Sequence, residues 1–568
     1  MSGKKILPLH KHVWTAMTGL SSPQTSLIQK ISHCMTLAKF ILSLFVPSCA
    51  LIPIQATADI HHINYDQVNK QAQQEYLQPI RPGSDGRNPY WNGFAHKFTY
   101  APAFDFKPVK GAKAYQFVIE QVDGQGTDKL SYRTDKPTAD LSPVWDKVPV
   151  AKVRVSVFAI DRKGRVMPDT VGQRTFWRDY PFHGRYQQAP RPYLEAAKKA
   201  MLYIHNLKAI HHWRDHAEPD MSYKYNTYAC KMMSATIQNE CLVAQYFPAL
   251  KEDALLMARH VAQFLMTLSH PKGHVLAYFP PTYYQELITS GKAGNKGKTI
   301  TVEAAKVGNA MLTLYDATHD KQYLEFALGI ANTYVRLQRP DGSLPIKVDY
   351  TTGEPVNDRC AMLHTLTQYW RRLGQQYHQI QYSGALRKAE QWMQDVALRS
   401  FDMTGQFEDV SVLHIQPYQN LTNCTAAPYA SYLYTKDHPT PQEIQDADDL
   451  MRLSEDQFVH WDIAPDADGL RRENAPCVHE QYKYEVPVDN SACNVANGYL
   501  DKYHLTGDTL ALAKAVALTN QIVVMQNPLN GQIPTTWKYS RKPEHEPTWW
   551  LNCCVASIKM LLRMDKER

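Results

Sequence analysis

Apolar positions along this chain change their spacing once. Between Phe94 and about Phe182 they alternate, as in Tyr115-Gln116-Phe117-Val118-Ile119 and Val153-Arg154-Val155-Ser156-Val157-Phe158-Ala159, with Asp123-Gly124 and Lys163-Gly164 turns between runs. Short period-two runs broken by turn signals predict a small β-sandwich over 94–185. From Pro192 onward the spacing is helical. Outer-type helices are expected at about 193–212, 249–268, 320–338, 381–399, 441–458 and 508–526. Inner-type helices follow at about 227–246, 303–318, 358–377, 423–436, 490–505 and 549–566. The second set is richer in small and apolar residues, as helices buried on most sides should be. Residues 59–93 read as polar and irregular.

Two stretches superimpose. Tyr315-Asp316-Ala317-Thr318-His319-Asp320 runs through Gln338 to Asp341-Gly342-Ser343-Leu344-Pro345, and Tyr503-His504-Leu505-Thr506-Gly507-Asp508 runs through Gln526 to Asn530-Gly531-Gln532-Ile533-Pro534. A self-similar unit sets the architecture. Loop glycines at 273, 342, 405, 469 and 531 recur at spacings of 69, 63, 64 and 62 residues, one helical hairpin plus its loop. Six such hairpins close into an (α/α)6 toroid over 192–566, so the fold class is mainly α with a small sandwich in front, which in Ala112-Lys113-Ala114-Tyr115 and Ala159-Ile160-Asp161-Arg162-Lys163-Gly164 resembles a fibronectin type III module. Inner-to-outer connections are short, as at Thr318-His319-Asp320, while the outer-to-inner ones (269–302, 339–357, 400–422, 459–489, 527–548) are long. Long loops in a compact domain are usually functional. All of them should emerge over the N-termini of the inner helices, which makes that end the active face.

Composition narrows the partners. Lys+Arg 62 against Asp+Glu 55, with no long basic run, argues against nucleic acid. Tyr 33 and Trp 11 supply ring faces of the kind that stack on sugars, although core packing uses most aromatics. Residues 1–58 read as a targeting segment: a short basic stretch at Met35-Thr36-Leu37-Ala38-Lys39, apolar Phe40 to Val46, and the cleavage-type site Ala56-Thr57-Ala58. Met35 is an alternative start, and Val46-Pro47-Ser48-Cys49 is a weak lipobox. The mature chain is expected in the periplasm or at the cell surface, with no integral membrane span. Cys230, Cys360, Cys424, Cys493 and Cys553 each fall at the start of an expected inner helix, and read as buried small residues rather than a metal or disulfide framework. No cofactor and no metal is expected: there is no Walker loop, G-x-S-x-G, H-E-x-x-H or flanked dinucleotide fingerprint. His211-His212 and His216 read as a partly exposed helix end.

The long loops carry acids among aromatics. Glu408 and Asp409 stand in Gly405-Gln406-Phe407-Glu408-Asp409, and Glu480 stands between His479 and Tyr482. Glycoside hydrolysis needs one protonated carboxyl group and one ionised carboxylate, and these three are the candidate catalytic residues. Helix capping or pairing with a loop cation is the competing use of each. Glu303 opens an inner helix, where the helix dipole alone favours an acid, and is a spare candidate. Glu455-Asp456 is expected on a solvated helix face, Asp489 as an N-cap, and Asp349 paired with Lys347. Candidate substrate-binding residues are Lys224, Tyr228, Tyr283, Arg359, Trp461, His479, Tyr482, Trp537 and Asn552. Lys231, Arg471 and Arg472 add charge suited to a sugar acid.

Residues 192–566 resemble the six-hairpin carbohydrate enzymes, and more specifically glycoside hydrolase family 154. The resemblance rests on Lys306-Val307-Gly308-Asn309-Ala310, Gly405 to Asp409, Ser454-Glu455-Asp456-Gln457-Phe458-Val459, and Glu480-Gln481-Tyr482 through Asp489-Asn490-Ser491-Ala492. It implies a β-glucuronidase acting on uronic-acid-containing glycans, without itself naming the acid and base. Two other readings stay open. One is a polysaccharide lyase, in which His479, Tyr482 or Tyr283 would remove the C5 proton, and the other is a non-catalytic glycan-binding protein. The oligomeric state is open, a homodimer being one expectation.

Overall fold

The computed structural model describes residues 63–80, 94–104, 106–122, 129–137, 139–285, 295–404, 416–462, 474–537 and 549–567. All of these belong to one compact unit, Ala56–Arg568. Inner helices α3 (Ala229–Tyr246), α5 (Glu303–Thr318), α7 (His364–Tyr377), α9 (Asn423–Tyr434), α11 (Asp489–Thr506) and α13 (Leu551–Asp565) pack each on the next, and α13 packs back on α3. Outside them lie α2 (Tyr193–Asn206), α4 (Lys251–Leu268), α6 (Lys321–Leu337), α8 (Ser383–Trp392, continued by a π turn Met393–Leu398), α10 (Pro441–Phe458) and α12 (Thr509–Met525). The helical part is therefore a closed ring of hairpins, as expected. Among the described residues no helix is long and apolar enough to cross a membrane.

The repeated stretches show how the ring is made. Each inner helix ends on a left-handed residue, His319 at φ 57° and Gly507 at φ 73°. Each following Asp caps the outer helix, Asp320 accepting from the Gln322 N–H at 3.1 Å and Asp508 from the Leu510 N–H at 3.0 Å. At the far end the side-chain amide of Gln338 donates to the carbonyls of Gly342 (3.1 Å) and Ala385 (2.9 Å). Gln526 does the same to Gly531 and Ala196, both at 2.8 Å. Ala385 and Ala196 belong to the next outer helix in the ring, so one joint serves between neighbouring hairpins and again between the last and the first. Both glycines have positive φ (91° and 85°), and a Cβ there would lie 2.1 and 2.6 Å from the Lys388 and Lys199 carbonyl oxygens. Only glycine permits the approach. The ring ends also touch directly, the Leu194 N–H donating to Asp565 at 3.2 Å.

Two expectations need correction here. The α7 helix begins at His364, not near 358, because backbone bonds from Ile346 to Arg359 and from Ala361 to Leu344 draw that segment into a ladder. Cys360 therefore precedes its helix. Residues 59–93, read as irregular, include α1 (Tyr65–Tyr76), capped by Asn64 and burying only the stripe Val68, Ala72 and Tyr76.

The alternating region forms a five-stranded sheet in the order β1 (Lys97–Phe98), β7 (Val166–Arg178), β6 (Lys152–Ile160), β3 (Ala114–Gln121), β4 (Leu130–Thr134). The β1–β7 pair is parallel and the rest are antiparallel. A second pair, β2 (Ala103–Phe104) with β5 (Ala139–Asp140), meets it through Phe104 and Phe176, whose ring centres are 5.6 Å apart.

This region and α1 dock onto α10 through the two acids expected on a solvated face. Glu455 is 1% exposed. It accepts from the hydroxyls of Tyr76 (2.5 Å), Tyr100 (2.8 Å) and Tyr499 (2.5 Å) and from Trp461 Nε1 (2.8 Å), and pairs with Lys514 Nζ at 2.7 Å. Lys514 also pairs with Glu75 at 2.8 Å. Asp456 accepts from the backbone N–H groups of Thr99 (2.5 Å) and Tyr100 (2.6 Å). Amphipathic spacing does not reveal such a surface, since Asp456 meets the second module and Glu455 sits in the seam between that module and ring residues Tyr499 and Lys514.

Burial, only partly offset by those N–H donors, pushes the Asp456 carboxyl up to about 7. The unfolded chain releases this proton near its ordinary value of about 3.9, so the folded state holds the extra proton between the two. Stability is then expected to fall as pH rises from about 4 to 7, with a slope near 1.4 kcal/mol per pH unit from this group. Urea titrations across that range should show Asp456→Asn losing this part of the slope. An unchanged slope in the variant would count against a protonated Asp456.

Candidate active site

A cavity of about 520 Å³ opens over the N-termini of the inner helices, and all six helices contribute to its wall. Lys231 comes from α3, Glu303 and Lys306 from α5, His364 and Gln368 from α7, Cys424 and Thr425 from α9, Asn490 and Asn494 from α11, and Asn552 from α13. Long-loop residues Tyr225, Glu480, Tyr484, Thr535, Thr536 and Trp550 complete it. Helix starts converge here because the ring points all six the same way, bringing their unpaired N–H groups and positive dipole ends together.

Among the described residues, two carboxylates line the cavity. Glu303 is the first residue of α5; its Oε1 accepts from Lys306 Nζ at 2.8 Å, and its Oε2 is buried without a hydrogen-bond partner. Glu480 sits on β8 (Cys477–Gln481), which pairs with β9 (Tyr484–Pro487) and packs on α9 and α11. Its carbonyl accepts from Thr422 Oγ1 at 2.9 Å and Asn423 Nδ2 at 3.2 Å, fixing the strand to the start of α9. The register shifts between His479 and Gln481, where Glu485 and Val486 of the partner strand together stand opposite the single Glu480. Since α9 and α11 lie two and three places round the ring from α5, the two acids come from different sides of the cavity.

Several polar groups of the surroundings are incompletely paired. His364 opens α7; burial, and then the charge of Lys306, bring its imidazole down to about 4, so it is neutral at physiological pH. Its Nδ1 and the Oδ1 of Asn552 are, like Glu303 Oε2, buried without partners. A native structure usually satisfies such atoms, and three of them on one cavity wall suit hydroxyl groups of a ligand. Burial pushes the Cys424 thiol up to about 12, and the nearby charge of Glu480 adds to this. Cys424 is thus an inert wall residue at neutral pH. Trp550 packs its ring 4.4 Å from Tyr225 and 5.1 Å from Tyr228, with Lys231 Nζ 5.8 Å from its centre.

Of the residues singled out in the sequence, Glu480, Asn552, the spare candidate Glu303 and Lys231 line this cavity, as do Cys424 and Cys553. Tyr228 lies behind Trp550 and packs against Tyr283 at 6.2 Å, so both are in a layer beneath the wall. His479 faces His460 at 4.4 Å, because it alternates with Glu480 along the strand. Tyr482 donates its hydroxyl to Gln457 at 2.5 Å, and Trp461 is buried against Glu455. Trp537 is buried with its Nε1 donating to the Pro534 carbonyl at 3.2 Å. Lys224 is exposed on a short 3-10 turn, and Arg359 sits in the ladder before α7; neither lines the cavity. Glu408, Asp409, Arg471 and Arg472 lie outside the described residues. Asp489 is the first residue of α11 rather than its N-cap, and accepts from Ser557 Oγ at 2.8 Å. Lys306, His364, Gln368, Asn490 and Asn494 went unnoticed as wall residues. Their shared signal is position: each lies in the first turn or two of an inner helix.

No protein-family model matches the chain, and no curated protein matches it. Among solved structures it is similar to a family 76 glycoside hydrolase from a bovine Bacteroides thetaiotaomicron strain, at 11% identity over 81% of this chain and 94% of that one (TM-score 0.43). It is also similar to cellobiose 2-epimerase from Spirochaeta thermophila, at 10% identity over 65% and 98% (TM-score 0.44). A D-mannose isomerase aligns at 10% identity over 66% and 97% (TM-score 0.46). By its own contacts, then, the chain is a closed ring of six helical hairpins with an acid-bearing cavity at the helix starts.

Proposed function

We propose that the chain is an exported glycoside hydrolase that releases a uronic acid, β-glucuronic acid by preference, from glycans. The observation that carries the reading is the pair Glu303 and Glu480 on different sides of one cavity. Glu303, ion-paired with Lys306, supplies the charged carboxylate as base or nucleophile, and Glu480 donates the proton to the departing oxygen. Trp550 offers a ring face to the sugar, and Lys231 with the amides of Asn490, Asn494 and Asn552 offers donors to a carboxylate and hydroxyls. Export rests on Ala56-Thr57-Ala58 and the apolar run before it.

The decisive assay is turnover of nitrophenyl β-glucuronide against the β-glucoside, together with absorbance at about 235 nm on acidic polysaccharides, where an unsaturated uronate from a lyase would absorb. Glucuronide cleavage without that absorbance is expected; the reverse result sinks the hydrolase reading. The lyase reading drew on His479, Tyr482 and Tyr283, none of which lines the cavity. Lys231→Ala is expected to raise KM for the glucuronide about tenfold while leaving the glucoside nearly unchanged, as loss of a charge-assisted contact should. An equal effect on both substrates would remove the uronate from the proposal.

A further inference from the structure

Outside the cavity, two imidazoles and a carboxylate face one another. His205 is in the last turn of α2, His211 ends the short helical turn Lys208–His211, and Asp253 is in the first turn of α4. One ligand atom from each can be chosen so that all three lie within 4.8 Å of one another. None of the three lines the active-site cavity. We propose that these residues form a site for a divalent transition-metal cation, zinc in the first instance, that clamps α2, the following turn and α4 together.

The hydrogen bonds around the cluster leave the right atoms over. His205 is 2% exposed, and its Nδ1 lies 2.6 Å from Oε2 of Glu240, a fully buried residue of α3. Glu240 Oε1 is held in turn by the side-chain amide of Asn239 at 3.0 Å. With its Nδ1 proton donated to Glu240, the imidazole turns an Nε2 lone pair outward. That Nε2 stands 3.8 Å from Asp253 Oδ2, beyond hydrogen-bond length, while Arg214 Nε holds the other Asp253 oxygen at 2.9 Å. His211 contributes an Nδ1 that is buried without a hydrogen-bond partner, an observation independent of the spacing. A histidine backed by a carboxylate is the usual outer support of a metal ligand, since it fixes the tautomer and raises basicity. Two imidazoles and one carboxylate suit zinc or iron(II), with water completing the shell.

Bonds of about 2.0–2.1 Å to a tetrahedral ion bring donor atoms to roughly 3.3 Å apart. The cluster would therefore tighten on loading, which a side-chain adjustment of His211 can supply. Asp253 is partly exposed and gives an entry path from solvent. His212 and His216, the other members of the histidine-rich stretch, stack on each other at 3.7 Å instead. The rival description is that His205 is doubly protonated and bridges Glu240 and Asp253 with no ion.

The test is to strip the full-length protein with a chelator and titrate it with zinc(II) and cobalt(II), following bound metal, visible spectrum and Tm. One equivalent should bind, cobalt should show the visible bands of a site with imidazole ligands, and Tm should rise with metal concentration. His211→Ala and Asp253→Asn, both at positions that are not fully buried, should abolish the Tm gain, and Glu240→Gln should weaken binding about 10- to 100-fold. Absence of stoichiometric binding, or binding that survives both ligand substitutions, overturns the proposal. Should a variant fail to fold, the cobalt spectrum of the unsubstituted chain decides alone, and a spectrum without protein-bound bands overturns it.

Discussion

Glu480→Gln is expected to lower kcat on a nitrophenyl β-glucuronide by about 10³-fold with KM changed only a few-fold, the pattern of a group acting in the transition state. The substitution keeps the volume and the hydrogen-bonding oxygen but removes the transferable proton. The strand should survive it, because the Glu480 backbone carbonyl, not its side chain, accepts from Thr422 and Asn423. Glu303→Gln is expected to cost a comparable factor, with a second consequence. Lys306 would lose its partner 2.8 Å away, leaving a cation at the wall to attract the uronate carboxylate. KM should therefore hold or fall while kcat collapses. The pH profile of kcat/KM separates the roles, since each variant should lose one limb of the bell. Full turnover in both variants would falsify the hydrolase assignment. A loss confined to KM would instead mark both acids as binding groups.

Glu455→Ala is expected to cost about 3–5 kcal/mol of folding stability, the range for breaking a buried ion pair from one side. Lys514, 1% exposed, would keep its charge with only Glu75 opposite. The hydroxyls of Tyr76, Tyr100 and Tyr499 and the Trp461 N–H would also lose an acceptor at once. These donors come from α1, the segment after β1, α11 and the loop that follows α10, so the damage is to docking rather than to any one helix. Urea unfolding of Glu455→Ala, Lys514→Met and the double variant gives the check. The double should lose less than the sum of the singles, because removing both charges spares the orphaned one. Strict additivity would mean that the pair does not act as a unit.

The hairpin ring was legible in the sequence because its causes are local. Small apolar residues mark inner helices, Asp320 and Asp508 cap outer ones, and Gly342 and Gly531 occupy turns that no other residue can make. The location of the cavity followed from loop lengths alone. Which side chains enter it did not follow, because that depends on rotation about a strand or helix. Along β8 a single step separates Glu480, in the wall, from His479, turned toward His460. Glu303 reads from the sequence as a dipole-favoured acid and a spare candidate, and nothing in its sequence neighbourhood reveals that one of its oxygens is buried and unpaired. The misreading of Glu455-Asp456 has the same origin: an acid on an outer helix is normally solvated, and only the docked module removes the water. Similarly, α1 buries three residues on an otherwise polar helix, too narrow a stripe to stand out.

The joint that Gln526 makes to Ala196 is the one that Gln338 makes to Ala385. A stack of hairpins with free ends can peel from either end, losing one unit for the loss of one interface. In this annulus every hairpin has two seams, so releasing any of them means breaking both together. The cavity rim gains the same bracing, since each helix start is held from left and right like a stone in an arch. Its diameter is set by the whole hoop, and so is the span between the two glutamates.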